Sequence, residues 1–250
     1  MSNMLRKLEQ VYRYPVDIEF TVNFNAQGKT QINLLQCRPF QTKGHYSRVE
    51  LPEKISKSKI LLQQEANFMG GSIYQAISRI IYIDPKGYAG LSLSEKHEVA
   101  RLTGKLNKQI GRREVMPTIL LGPGRWGTSD PFLGIPAVFA AINRVSALCE
   151  IVAMHENLVP DVSLGTHFLN EIVERNILYL ALFPKQGDNF LSVEFFENSP
   201  SRLLELVPSA ENMEGVVRVI DSTSVASNVS IRIAADAIDQ RVLCYRERRA

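Results

Sequence analysis

The chain has 250 residues, of which 45% are hydrophobic, 22% charged and 8% aromatic. This composition is typical of a globular protein and excludes collagen-like, coiled-coil and intrinsically disordered chains. The net charge is +3, from 29 Lys and Arg against 26 Asp and Glu, and it is spread along the chain. Charge therefore gives no indication of nucleic-acid binding.

The cysteines and the lengths of the apolar segments indicate where in the cell the protein is expected. The three cysteines, Cys37, Cys149 and Cys244, lack CxxC spacing. This favours a reducing compartment, and we therefore expect a cytoplasmic protein without disulfides. No apolar run approaches the ~20 residues of a membrane span, and the N-terminus lacks a signal-peptide pattern, so we expect no membrane partner. Because a strand pattern follows the first residues almost at once, we also expect the chain to be a piece of a longer polypeptide.

The first clear pattern is a β-hairpin. Between Tyr14 and Phe24 apolar residues occupy every second position, the period of a half-buried strand. Residues 25–30 have the composition of a turn, and a second strand from Gln31 to Arg38 is stopped by Pro39. We predict that residues 1–42 end in this hairpin and that residues 43–58, which are polar and rich in lysine, form a linker.

Residues 59–250 show strands alternating with helices, which predicts an α/β domain with a mixed sheet, α+β being the alternative. The spacing Ser92 to Glu95 is that of a capping box and predicts a helix over about 94–108. The other predicted elements are strands at 60–62, 80–83, 118–121, 148–154, 177–183 and 190–196, and helices at 137–147 and 168–175.

Polar residues of the hairpin are expected to meet on one face. If the strands pair symmetrically about the turn, with Phe24 opposite Gln31, then Glu19 lies opposite Gln36 and Asp17 opposite Arg38. Carboxylate and amide oxygens suit magnesium, and a guanidinium suits phosphoryl oxygens. The alternative is a surface face with an Asp17–Arg38 ion pair of little energetic weight.

The two hairpin motifs also carry a family resemblance. Pro15-Val-Asp-Ile-Glu-Phe20 and Leu34-Leu-Gln-Cys-Arg-Pro39 resemble the end of the nucleotide-binding domain of pyruvate phosphate dikinase and phosphoenolpyruvate synthase, an ATP-grasp fold. The resemblance covers about residues 10–42. It implies that Glu19 and Gln36 approach the metal and that Arg38, the expected catalytic residue, approaches the phosphate being transferred. Asp17 is expected to complete the nucleotide site.

The resemblance further implies magnesium as cofactor and ATP as substrate of an ATP-dependent phosphotransferase. The rest of the ATP-grasp domain is expected upstream, and none of the four histidines has the sequence context of the family's phosphohistidine. We therefore expect this chain alone to be inactive. Self-association through exposed strand edges is a further expectation.

The second part of the chain resembles the C-terminal region of bacterial phosphoenolpyruvate synthase-like proteins, in the segments 122–131 and 165–168. That resemblance implies no activity. Within it, Gly122, Gly124 and Gly127 satisfy GxGxxG after an apolar strand, but Pro131 and Pro136 disfavour the helix that a dinucleotide site needs.

Two interpretations of this glycine-rich loop remain open. Its amides could face an anion, with Arg125 supplying charge and Thr128 or Ser129 a hydroxyl. Alternatively it is a tight turn in which Trp126 fills the core and Arg125 pairs with Asp130. His167, at a predicted helix start, is a candidate for the same anion site or else a structural residue. The second domain is accordingly either an interaction or regulatory domain, or a small anion-binding module.

Overall fold

The computed structural model describes residues 2–13, 16–39, 48–52, 54–152, 162–184 and 186–248, without the side chains of Asp17, Arg38 and Pro39. The chain divides into two compact units, residues 1–43 and 44–250. The first unit contains a helix and two antiparallel strands: α1 (Ser2–Tyr12), β1 (Val16–Phe24) and β2 (Thr30–Pro39). The predicted hairpin is confirmed.

The second unit is α/β, as predicted, and contains thirteen strands and six helices among its described residues. In chain order these are β3 (Ile60–Glu65), β4 (Phe68–Met69), β5 (Ile73–Ile77), β6 (Arg79–Ile83), α2 (Pro85–Ala89), α3 (Leu93–Gln109), β7 (Thr118–Pro123), β8 (Arg125–Trp126), β9 (Gly134–Ile135), β10 (Ala147–Ile151), α4 (His167–Glu174), β11 (Leu178–Leu182), β12 (Phe190–Leu191), α5 (Val193–Asn198), α6 (Leu203–Leu206), β13 (Val217–Asp221), α7 (Ser222–Val225), β14 (Val229–Asp236) and β15 (Arg241–Arg248).

A mixed six-stranded sheet forms the centre of this unit, in the order β13-β6-β7-β10-β11-β4. The four middle strands are parallel and follow one another in chain order, while β13 and β4 join antiparallel at the edges. The middle strands are fully buried, which explains their nearly continuous apolar sequences.

A second, antiparallel sheet in the order β12-β3-β15-β14-β5 packs against one face of the first. The core between the sheets includes Ile80, Leu121 and Cys149 from the mixed sheet and Ile233 and Val242 from the antiparallel one. Helices α3 and α4 cover the other face of the mixed sheet over a separate core. The unit is thus layered as helices, mixed sheet and antiparallel sheet.

The outer face of the antiparallel sheet is covered by a segment that we call the strap, residues 48–52 and 54–59. Val49, Leu51 and Ile55 of the strap pack on a small apolar cluster of the sheet: Ile60, Ala234, Leu243 and Tyr245. The described part of the segment predicted as a linker therefore lies on the second unit.

Helix α3 begins where the sequence predicts it. The Ser92 hydroxyl accepts a hydrogen bond from the Glu95 amide, and the Glu95 carboxylate accepts one from the Ser92 amide, which together form the capping box. None of the helices formed by the described residues is long and apolar enough to cross a bilayer.

Two predicted elements are wrong. Residues 137–147 form no α-helix: a 3₁₀ turn spans Phe139–Ala141, and β10 already begins at Ala147. The buried Asn107 side chain explains this, because it donates to the Ala140 carbonyl and accepts from the Arg144 amide in place of a continuing helix. Only Phe190–Leu191 of the predicted strand 190–196 pairs with β3, and α5 follows it.

Candidate functional site

The pairing of β1 with β2 brings the predicted hairpin positions together. Asp17 pairs with Arg38 and Glu19 with Gln36. The turn is one residue tighter than predicted, because Phe24 pairs with Thr30 and not with Gln31. A β-bulge between the Glu19 and Phe20 pairs leaves Leu35 unpaired. It restores the predicted register for the Glu19 and Asp17 pairs, at the end of the hairpin away from the turn.

Because of this bulge, the hairpin has one apolar and one polar face. Phe20 lies opposite Leu34 and Val22 opposite Ile32 on the apolar face. On the polar face the side-chain amide of Asn33 donates to the Thr21 hydroxyl at 3.4 Å. This pair lies next to the Glu19 and Gln36 pair, on the side of the turn. The register therefore assigns the predicted site residues to positions away from the apolar side chains.

Glu19 and Gln36 suit a magnesium site in chemistry. The Glu19 residue is half-buried and Gln36 is exposed. One carboxylate and one amide are the hard oxygen donors that magnesium takes when phosphates and waters complete its shell. Among the described side chains there is no group of three or more His, Cys, Asp or Glu that could hold a metal.

The glycine-rich loop lies at the carboxyl ends of the parallel strands, where α/β proteins commonly bind ligands. It leaves β7 at Gly122, which pairs with Glu150 of β10. Gly124 and Gly127 both have positive φ, 61° and 72°. A Cβ atom on Gly127 would lie 2.5 Å from the Phe168 ring, so glycine is needed there for space as well as for conformation.

The backbone amides of residues 124–127 are all engaged within the protein, which corrects the prediction that they face an anion. The Gly124, Arg125 and Gly127 amides donate to backbone carbonyls, at 3.0–3.1 Å, and the Trp126 amide donates to the Glu150 carboxylate. No amide from 124 to 127 is therefore left to face an anion. The Thr128 hydroxyl is also engaged, since it accepts from the Asp130 amide.

Trp126 is completely buried in the core beneath the helices, as the alternative interpretation predicts. The Asp130 carboxylate accepts a hydrogen bond from the Phe132 amide within its own loop. His167 is the first residue of α4, as predicted, and is exposed. The Thr166 hydroxyl, and not the histidine, caps that helix.

Glu150 is the polar centre of this region, and the sequence interpretation missed it. Glu150 is fully buried in β10. Each of its carboxylate oxygens accepts two hydrogen bonds. The donors to Oε1 are the Trp126 amide at 2.9 Å and the Ser163 hydroxyl at 2.5 Å. The donors to Oε2 are the Ser163 amide at 2.7 Å and the Tyr179 hydroxyl at 2.6 Å.

This carboxylate ties the loops after β7 and β10 to β11. Burial raises the pKa of Glu150 above its usual range, while the four hydrogen bonds oppose that rise. A buried carboxylate with both oxygens doubly satisfied is a structural arrangement, since no lone-pair position is left for a substrate. The Ser163 hydroxyl is likewise buried and engaged, which excludes it as a nucleophile.

Two other buried charges have structural partners. Arg79 forms a two-point ion pair with Asp221, at 2.6 and 2.9 Å, where β6 meets β13. Burial acts to raise the pKa of Asp221, but Arg79 and Arg202 lower it below its usual value. The Lys96 ammonium donates to the carbonyl of Tyr88 in the last turn of α2 and to that of Leu91 just after it.

The glycine-rich loop gives a direct test of packing. We expect Gly127→Ala to destabilise the chain by about 1–3 kcal/mol, because it adds both a strained φ and a clash with Phe168. Gly111→Ala is the matched control: Gly111 has a φ of 66°, but a Cβ there meets open space. Urea unfolding of both variants separates the cost of the clash from that of the backbone. Equal losses would contradict a packing role for Gly127.

The N-terminal residues are similar to a known nucleotide-binding domain. Residues 1–59 match the family model described as pyruvate phosphate dikinase, AMP/ATP-binding domain. The resemblance predicted from the hairpin motifs is thereby confirmed. Comparison with curated proteins and with solved structures gave no significant match. The likeness of the second part of the chain to phosphoenolpyruvate synthase-like proteins stays a prediction.

Proposed function

We propose that the hairpin supplies metal and phosphate contacts to the magnesium-ATP site of an ATP-dependent phosphotransferase, and that this chain is the C-terminal portion of that protein. The observation that carries the proposal is the register of β1 and β2, which places Glu19 opposite Gln36 and Asp17 opposite Arg38 within the matched region. These are the positions that the family motifs assign to the site.

In this proposal each residue has a separate task. Glu19 and Gln36 hold magnesium, which when bound neutralises the charge of the nucleotide phosphates. Arg38 contacts the phosphate that is transferred, where a guanidinium can donate two parallel hydrogen bonds. The contribution of the hairpin is therefore positioning and electrostatic stabilisation, with no covalent step at these residues.

Hydrogen exchange of this chain with and without magnesium-ATP tests the proposal. At ~100 times its dissociation constant a ligand stabilises its site by roughly 2.7 kcal/mol, so amides of β1 and β2 that exchange through opening should exchange about a hundredfold more slowly. Amides of the second unit should be unchanged. Mass spectrometry of peptides covering residues 16–39 gives the measurement.

Two variants make this experiment specific. Glu19→Gln keeps the size of the side chain but removes the charge that faces the metal, and it should abolish the magnesium-dependent protection. Glu9→Gln removes an exposed carboxylate from α1 in the same unit and should leave that protection intact. Protection that survives in Glu19→Gln would contradict the proposed metal site.

A further inference from the structure

A cavity of about 450 Å³ lies between the strap and the outer face of the antiparallel sheet. Its apolar lining includes Ile60 and Leu243 of the sheet, with Leu51, Pro52 and Ile55 of the strap. The cavity is partly open to solvent. Its volume falls within the ~300–1,000 Å³ that is typical of small-molecule sites.

The strap is fastened on both sides of this cavity. At one end the Val49 amide donates to the buried Asp236 carboxylate at 3.2 Å, and Arg48 pairs with Asp239 at 3.0 Å. At the other end the Arg246 guanidinium donates to the Ser58 carbonyl at 2.5 Å. These contacts hold the strap at both ends of the cavity.

Three charged residues line the cavity among those that the structure describes. Lys57 of the strap and Arg241 of β15 are basic, and Asp188 is acidic. Arg241 is 3.5 Å from Glu65, but both side chains are about half exposed, so this ion pair is weak. A guanidinium has five donors, and one long contact leaves it able to bind an anion.

We propose that this cavity binds a small amphipathic organic anion. Its apolar body lies against the strap side chains Leu51 and Ile55 and the sheet residue Leu243. Its anionic end lies at Lys57 and Arg241, near the solvent. Every residue used here belongs to the second unit, and the strap residues among them also lie within the matched residues 1–59.

Calorimetric titration of the whole chain with decanoate tests the chemistry of the ligand. Decanoate carries an apolar body and one anionic end, whereas decyltrimethylammonium has the opposite charge and inorganic phosphate has no apolar body. We expect decanoate to bind at least about tenfold more tightly than either comparator. The proposal would be overturned if decanoate did not bind. It would also be overturned if decyltrimethylammonium or inorganic phosphate bound as tightly as decanoate or more tightly.

Variants of the strap locate the site. Ile55→Trp should fill the cavity and weaken decanoate binding at least about tenfold, and Lys57→Gln should weaken it severalfold by removing a cation. Lys59→Gln is the matched control, since Lys59 lies in the same 3₁₀ turn and outside the lining. Arg241→Gln removes the other cation of the lining, on β15, where the side chain is exposed. If the strap variants unfold, the affinity of this variant for decanoate tests the role of charge. Unchanged affinity in Ile55→Trp and in Arg241→Gln would refute the site.

Discussion

Replacing Arg38 by alanine is expected to lower ATP turnover by the protein that carries this chain by about 10²–10³-fold. The expectation follows from the proposed contact of Arg38 with the transferred phosphate, since removing one donor to developing charge typically has an effect of this size. Residues 44–250 form a separate compact unit, so its stability should not change. The measurement is conversion of ATP under saturating magnesium, followed by separation of the adenine nucleotides.

The split between kcat and KM distinguishes chemistry from binding. A contact that strengthens in the transition state lowers kcat, whereas a uniform binding contact raises KM alone. Arg38→Lys should lie between alanine and the unaltered protein, because lysine keeps the charge but loses the two-point geometry. Lys29→Ala, a change to an exposed cation beside the hairpin turn, should leave turnover intact. Unchanged turnover in Arg38→Ala would remove this residue from the site.

The hairpin shows how far local patterns predict this fold. Alternation of apolar residues located both strands, but the predicted register assumed a symmetric six-residue turn. In the structure Phe24 pairs with Thr30, and the bulge at Leu35 compensates for the shorter turn, so the Glu19 pair and the Asp17 pair are as predicted. The adjacent pair Leu34-Leu35 breaks the two-residue period, and this was the signal for the bulge.

Elements that depend on distant partners were predicted less well. The segment 137–147 has an apolar sequence suited to a helix, yet a side chain from α3, Asn107, takes up its backbone groups. Strands β14 and β15 pair with each other and with β5 and β3, more than 150 residues earlier in the chain. Local periodicity carries no information about such partners.

The glycine-rich loop illustrates the same limit for a site. Three glycines and an arginine are compatible with an anion site, and only the hydrogen bonds show that the amides point inward. One signal was present: Glu150 is a charged residue within the apolar sequence Ala147 to Ile151. A carboxylate in a buried strand requires donors, but its partners Trp126, Ser163 and Tyr179 are 24, 13 and 29 residues away and could not be identified from the sequence.

Glu150→Ala is expected to destabilise the second unit by about 3–5 kcal/mol. It removes the acceptor of two buried amides and two hydroxyls, and each unsatisfied buried group costs roughly 1–3 kcal/mol before relaxation. Glu150→Gln retains one acceptor oxygen, so its free energy of unfolding should fall by less than that of Glu150→Ala. Glu171→Ala, an exposed carboxylate on α4, should stay within about 0.5 kcal/mol of the unaltered chain. Urea unfolding provides the free energies.

The single tryptophan of the chain reports on the same network locally. Trp126 is fully buried, and its amide is held by the Glu150 carboxylate. If Glu150 fastens the glycine-rich loop, Glu150→Ala should shift the native-state emission of Trp126 to longer wavelength and increase its quenching by acrylamide, because water reaches the indole. Glu171→Ala should leave both unchanged. Native emission and stability close to those of the unaltered chain in Glu150→Ala would show that packing around Trp126 holds the loop without the carboxylate.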